Sequence, residues 1–104
     1  NLVVLVDYNK IQALSTLDEA LPLENLPAKF ISFNWDCAEV NEGHSFEELL
    51  PVLQKSNVEG KPRVIIVHTT KAKGIKPFEN DPAWHARKVK GEALEIGKRE
   101  LDLE

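Results

Sequence analysis

A single cysteine, Cys37, leaves the chain without a disulfide framework or a cysteine-built zinc site, and with no sign of an oxidising compartment. Basic blocks are missing too. Seventeen acidic residues against thirteen basic ones give a formal net charge of -4, which repels a phosphate backbone and argues against a nucleic-acid partner. The longest apolar runs, Leu2 to Val6 and Val64 to Val67, fall far short of the roughly 20 residues that cross a bilayer, so no membrane partner is expected. There is no basic start or cleavage site of a signal peptide. Asn1 leads almost directly into an apolar run, so a chain that begins mid-protein or was trimmed is expected, with a cytoplasmic location as the default. Internal repeats and low-complexity tracts are also lacking. What remains is an ordinary globular composition, 104 residues with 42% hydrophobic, enough for one modest core.

The strongest local signals are apolar runs. Leu2-Val3-Val4-Leu5-Val6 predicts a strand buried on both faces, as in a parallel sheet, with its carboxyl end at Asp7 to Asn9. Ile11 to Glu24 has no sustained period and predicts an ordered loop or broken turns. Leu26, Phe30 and Phe33 recur at helical spacing with Pro27 in the first turn, which predicts a short helix over Asn25 to Asn34. A second strand is expected over Asp36 to Val40, followed by a turn at Gly43. Ser45 and Glu48 have capping-box spacing, and Phe46, Leu49, Leu50 and Leu53 mark an apolar face, so a helix is expected over Ser45 to Ser56. Pro51 should kink or shorten it. After the Glu59-Gly60-Lys61-Pro62 turn, Arg63 to Thr69 predicts a third buried strand around Val64-Ile65-Ile66-Val67. Thr70 to Lys90 reads as a long polar loop, and loops beyond about 12 to 15 residues in a compact domain are usually functional or disordered. The tail, Gly91 to Glu104, predicts a solvated helix or one docked on an absent neighbour.

This alternation predicts an α/β fold with a parallel sheet and right-handed crossovers. Ligands of such sheets bind beyond the carboxyl ends of the strands. Two polar clusters are expected there, Asp7-Tyr8-Asn9 after the first strand and His68-Thr69-Thr70-Lys71 after the third. The Asn41-Glu42 insertion before Gly43 is expected to lengthen a turn away from that crevice. Taken singly, each polar residue also has a plain structural reading. Asp-x-Asn at a strand end is common turn chemistry, Lys71, Lys73 and Lys76 suit a solvated loop, and Trp84 with His85 suits a packing pair. His68 reads as a structural residue at the sheet's rim, His44 as part of a turn, and Cys37 as a small core residue.

Asn1 to Gln12, with Asp7-Tyr8-Asn9-Lys10-Ile11 at its centre, resembles the second half of the thiamine diphosphate signature of transketolases. Phe33-Asn34-Trp35, Gly43-His44-Ser45, Pro62 to Gly74 with its Lys-x-Lys-Gly ending, and Glu79-Asn80-Asp81-Pro82-Ala83-Trp84-His85 resemble, in the same order, the segments that follow in that family. The resemblance covers nearly the whole chain to about residue 90. It implies a three-layer α/β sandwich, a parallel sheet with helices on both faces, forming the thiamine diphosphate-binding fold and incomplete in this chain. Residues 1–104 would be the C-terminal part of one diphosphate-binding domain. By the same resemblance, the Asn9 side chain and the Ile11 carbonyl are ligands of magnesium (or calcium). Lys71 and His85 lie near the cofactor diphosphate, His85 also near the substrate as the catalytic residue. A magnesium ion takes a few oxygens from protein and the rest from phosphates and water, which an asparagine amide and a backbone carbonyl suit.

The activity implied is two-carbon ketol transfer from a ketose to an aldose (phosphate), in which the cofactor carries the carbon chemistry and the protein supplies binding and orientation. The chain departs from the family pattern in several places, among them Gln12 or Ala13, which falls where some members have a cofactor-contacting glutamine. The Gly-Asp-Gly turn whose aspartate is a further metal ligand is not in the chain and is expected upstream, since only eight residues precede Asn9. Ala86 stands where the family usually has glycine. The partners implied are that upstream segment, a pyrimidine-binding transketolase domain or subunit in a homodimer or heterotetramer, and a sugar phosphate. The alternative is a non-catalytic module that keeps the sheet for assembly or partner binding.

Overall fold

A computed structural model describes residues 1–13 and 15–103. The chain divides into two compact units, Asn1–Asn9 with Leu23–Thr69, and Lys10–Pro22 with Thr70–Glu104.

The first unit is built on three parallel strands, β1 (Val3–Tyr8), β4 (Asp36–Val40) and β5 (Arg63–His68), in the order β1-β5-β4. The central strand is the last in sequence. Its register places Tyr8 beside His68 on one side and Val40 beside Val67 on the other. β5 is the strand with both faces covered: Val64, Ile65 and Ile66 are fully buried, as the continuous apolar run predicts. β1 departs from its expectation. Leu2, Val3 and Leu5 are exposed while Val4 and Val6 are half-buried, so the strand shows one face to solvent. Among the described residues β1 pairs with β5 alone, and Val3 and Leu5 lie on the face left open.

The connection from β1 to β4 passes over β5, and the connection from β4 to β5 steps back. Each of these two connections carries a helix against the sheet. The first crossover carries α2 (Leu26–Ser32), capped by Asn25, whose Oδ1 accepts the Ala28 N–H at 3.0 Å. It is shorter than the expected Asn25 to Asn34. The chain turns at Asn34 in the left-handed region (φ 64°), and the Trp35 N–H returns to the Phe30 carbonyl at 3.1 Å. Phe30 meets Trp35 edge-on, whereas Phe33 is 80% exposed and no part of the packed face.

The second crossover carries α3 (Phe46–Gln54). Ser45 Oγ accepts the Glu48 N–H at 3.4 Å, but Glu48 Oε2 accepts from the Glu42 N–H at 3.1 Å, so the expected box closes on Glu42 rather than on Ser45. Pro51 lies within the helix without ending it. The inward face is Leu49 and Val52, packed on Val40, Ile65 and Val67. Of the face expected from spacing, Leu49 is on the covered side while Phe46, Leu50 and Leu53 are exposed. Two apolar stripes run along this helix, and spacing alone does not say which one the sheet covers. Arg63, buried at the start of β5, donates to the carbonyls of Lys55 (2.6 Å) and Val52 (2.7 Å) and sits 3.7 Å from Asp36. It satisfies carbonyls that the end of α3 leaves open.

The second unit begins with a short antiparallel pair, β2 (Ile11–Gln12) and β3 (Ser15–Thr16), then the single turn α1 (Leu17–Ala20). A true capping box holds α1. Thr16 Oγ1 accepts the Glu19 N–H at 3.3 Å, and Glu19 Oε2 accepts the Thr16 N–H at 3.4 Å. The long segment after Thr69 is ordered by two 3₁₀ turns, Lys76–Phe78 and Pro82–His85. Phe78 is buried and stacks on Trp84 with ring centroids 3.9 Å apart. The helix α4 (Glu92–Glu100) is shorter than the expected Gly91 to Glu104, and it packs on its own preceding loop. Gly97 is buried close to Ile75 and Phe78, and the Lys76 N–H donates to Glu100 Oε2 at 3.1 Å.

No helix among the described residues is long and apolar enough to cross a membrane.

Candidate functional site

Parallel pairing brings the carboxyl ends of β1, β5 and β4 to one edge of the first unit. The Thr69 hydroxyl donates to Asp7 Oδ1, and the Thr69 N–H donates to the Tyr8 carbonyl at 3.4 Å. The Tyr8 and His68 rings meet edge to face with centroids 5.4 Å apart. His68 Nε2 lies 3.1 Å from Glu39 Oε1 on β4, which supports the reading of His68 as a rim residue with structural work. The clusters Asp7-Tyr8-Asn9 and His68-Thr69 therefore share one edge, as their positions at strand ends predict, with Asn9 as the residue that follows the pinned pair Asp7 and Tyr8.

Gly43 belongs to the same edge. Its N–H donates to the His68 carbonyl at 2.8 Å, so the turn after β4 packs against the end of β5. The Asn41-Glu42 insertion thus lies at the carboxyl edge, not away from it. The sequence marks Gly43 only as a turn; the close approach that requires glycine depends on the neighbouring strand. Cys37 on β4 is partly covered, and burial first, then the charges of Glu39 and Asp36, push its thiol pKa up.

Ile11, Lys71 and His85 lie in the second unit. Ile11 opens β2, paired with Thr16. The Lys71 carbonyl accepts the Asn80 N–H at 3.1 Å, which ties the Lys71 backbone to the turn leading to His85. Asp81 Oδ1 accepts the Ala83 N–H at 2.9 Å and starts the 3₁₀ turn whose last residue is His85. His85 is exposed, next to the anchored Trp84, whose ring also carries the Arg87 guanidinium 5.1 Å from its centroid. The ring that packs on Trp84 is Phe78, where the sequence suggested His85. Ala86 has φ -135°, a conformation open to any residue, so the missing glycine costs no strain here. Glu79 accepts the Gly74 N–H at 3.2 Å, and that bond, ahead of the charges of Lys76 and Lys73, holds its carboxyl below the ordinary glutamate range.

No group of three or more His, Cys, Asp or Glu side chains that could hold a metal occurs among the described residues. The donors suggested by the sequence are instead neutral oxygens, an asparagine amide and a backbone carbonyl. That set fits a hard cation that shares its coordination with phosphate and water, and does not fit zinc.

The family model described as transketolase, thiamine diphosphate binding domain, matches residues 1–104. The chain belongs to this family. Among transketolase relatives, it is 32% identical over 102 residues to an apulose-4-phosphate transketolase subunit of Phocaeicola vulgatus, covering 97% of this chain and 36% of that protein. It is 31% identical, over 100% of this chain and 38% of the relative, to the 6-deoxy-6-sulfo-D-fructose transketolase subunit SqwG of Clostridium sp. (strain MSTE9). The crystal structure of transketolase from Campylobacter jejuni superposes with a TM-score of 0.84 at 25% identity, covering 99% of this chain and 16% of that one. The chain thus spans little more than a third of the length of these subunit relatives. Its α/β fold, a parallel sheet with helices, is that of the transketolase thiamine diphosphate binding domain.

Proposed function

We propose that this chain is the C-terminal part of the diphosphate-binding domain of a transketolase-type enzyme, which binds thiamine diphosphate with magnesium (or calcium) and transfers a two-carbon ketol unit from a ketose to an aldose phosphate. The observation that carries this reading is the shared carboxyl edge, where Thr69 joins the end of β5 to Asp7 and Tyr8 immediately before Asn9. Ligands of parallel sheets bind at that edge.

In this reading Asn9 supplies its amide oxygen and Ile11 its backbone carbonyl to the metal. Lys71 offsets diphosphate charge. The cofactor, when bound, supplies the carbon chemistry. His85 stands on a turn held by Trp84 and donates a hydrogen bond to the diphosphate or the substrate. The exposure of His85 is compatible with that task, since a catalytic imidazole must reach a ligand.

The remaining metal ligand would come from a Gly-Asp-Gly turn upstream, and the activating groups from a pyrimidine-binding domain or subunit. Relatives that are themselves named as transketolase subunits support a separate partner polypeptide, in a heterotetramer or, for a single-chain arrangement, a homodimer. A cytoplasmic setting suits a sugar phosphate substrate.

Calorimetric titration of the intact protein with thiamine diphosphate tests the proposal. Binding that requires magnesium and is lost in Asn9→Ala is the expected result; no binding at saturating cofactor and metal would sink it in favour of a non-catalytic module.

A further inference from the structure

We propose that Thr69 is the positioning residue for Asn9, holding the strand end from which the metal-binding amide leaves without itself touching the metal; this rests on the function proposed above. Thr69 leaves the end of β5 and makes two bonds to the end of β1, through its hydroxyl to Asp7 Oδ1 and through its N–H to the Tyr8 carbonyl. The two acceptors are consecutive residues, and Asn9 follows them.

Holding the Tyr8 carbonyl fixes the peptide plane between Tyr8 and Asn9, because the peptide bond is planar. The hydroxyl bond ties the Asp7 side chain to the same residue, so two consecutive positions of β1 are held by Thr69. The Tyr8 ring against His68, and His68 in turn against Glu39 and Gly43, brace Thr69's own strand end from the β4 side. Asn9 therefore leaves the sheet from a frame tied to all three strands.

Magnesium tolerates little misplacement of its ligands, since it demands near-ideal octahedral geometry. Groups that orient a ligand without binding the metal typically change metal affinity by about 10- to 100-fold when removed. Thr69 fits that role better than Asp7, because Thr69 makes both bonds and Asp7 receives one.

The test uses the intact protein and reads the magnesium concentration at half-saturation of thiamine diphosphate binding, together with the NMR signals of the Asn9 side-chain amide in the metal-free protein. Thr69→Val keeps the shape and removes the hydroxyl. It is expected to raise the half-saturating magnesium about 10-fold or more and to broaden or shift the Asn9 amide signals, with the thermal transition still cooperative. Thr69→Ser restores the hydroxyl and is expected to return both readouts to near the native values. If Thr69→Val does not fold, Asp7→Ala removes the same bond from its other end and is expected to give the same pair of changes.

Native metal dependence in Thr69→Val overturns the proposal while leaving the functional reading intact, as does a loss that Thr69→Ser fails to rescue. Absence of cofactor binding by the unaltered protein overturns both.

Discussion

The backbone N–H of Gly43 donates to the carbonyl of His68 at 2.8 Å, and this contact leaves no room for a side chain. A Cβ at position 43 would press into Val67 Cγ1 and lie 2.7 Å from the His68 carbonyl oxygen and 2.9 Å from Thr69 Cγ2. Two of these neighbours are on β5 and the third follows it, so none can move without disturbing the strand end. Gly43→Ala is expected to destabilise the protein by about 1–3 kcal/mol, the usual range for overpacking. Denaturant unfolding checks this, and a change within 0.5 kcal/mol, roughly the scatter of a surface substitution, would contradict it.

Arg63 argues a second outcome. Its guanidinium is buried, bonds two carbonyls at the end of α3 and faces Asp36 at 3.7 Å, while its Nε has no hydrogen-bond partner. Arg63→Ala removes the donors, leaves a cavity and strands the carbonyls of Val52 and Lys55, for a loss of about 3 kcal/mol or more. Arg63→Lys should recover only part of it, because an ammonium cannot span two carbonyls with a planar fork. Equal stability of the lysine variant and the native protein would show that charge alone is what this site needs.

These two sites show what local sequence can and cannot convey. β1 and the central strand β5 lie where the apolar runs predict, and Asn25 and Ser45 cap their helices, because runs and caps are local signals. The covered face of α3 was only partly legible: Leu49 belongs to the expected face, but Phe46, Leu50 and Leu53 have as good a period as Val52, and only the sheet decides between them. Likewise, the capping spacing at Thr16 and Glu19 was readable but weak beside the irregular segment around it. The bond from Thr69 to Asp7 joins residues 62 apart in sequence, so it follows from strand order, which hydrophobic pattern does not specify. Of the candidate site, the strand-end position of Asn9 was readable; the bracing of that end was not.

The thiol of Cys37 offers a pH test. Burial, followed by the charges of Glu39 and Asp36, raises its pKa, so the thiolate is scarcer at neutral pH than in a free cysteine. The thiolate is the reactive species. Alkylation of the native protein should therefore be slower than that of the denatured chain at neutral pH, with its rate climbing at a higher pH than for a free thiol. A native rate equal to the denatured one contradicts this.

Glu79 carries the opposite sign. Its carboxyl is held below the ordinary range, chiefly by the Gly74 N–H, so the bond contributes stability that is present above the unfolded-state pKa and lost as pH falls through the folded value. Glu79→Gln is expected to be less stable than the native protein at neutral pH, with the gap closing in acid below the usual glutamate range. Unfolding curves across that window read the effect. In the native protein the Gly74 amide shift should titrate with the same depressed midpoint, and a midpoint at or above the ordinary glutamate value would remove the argument.

The loop that bears His85 depends on one aromatic anchor. Phe78 is 5% exposed, stacks on Trp84 and lies close to Gly97 of α4, so it joins both 3₁₀ turns to the helix. Phe78→Ala removes that junction. A loss of about 3–5 kcal/mol is expected where surrounding atoms cannot collapse into the gap, here concentrated in the second unit. Hydrogen exchange separates this from a general loss: amides of residues 71–100 should lose protection while those of Val64 to Val67 keep theirs. If the β5 amides lose protection equally, the two units unfold together and the loop has no separate stability for Phe78 to control.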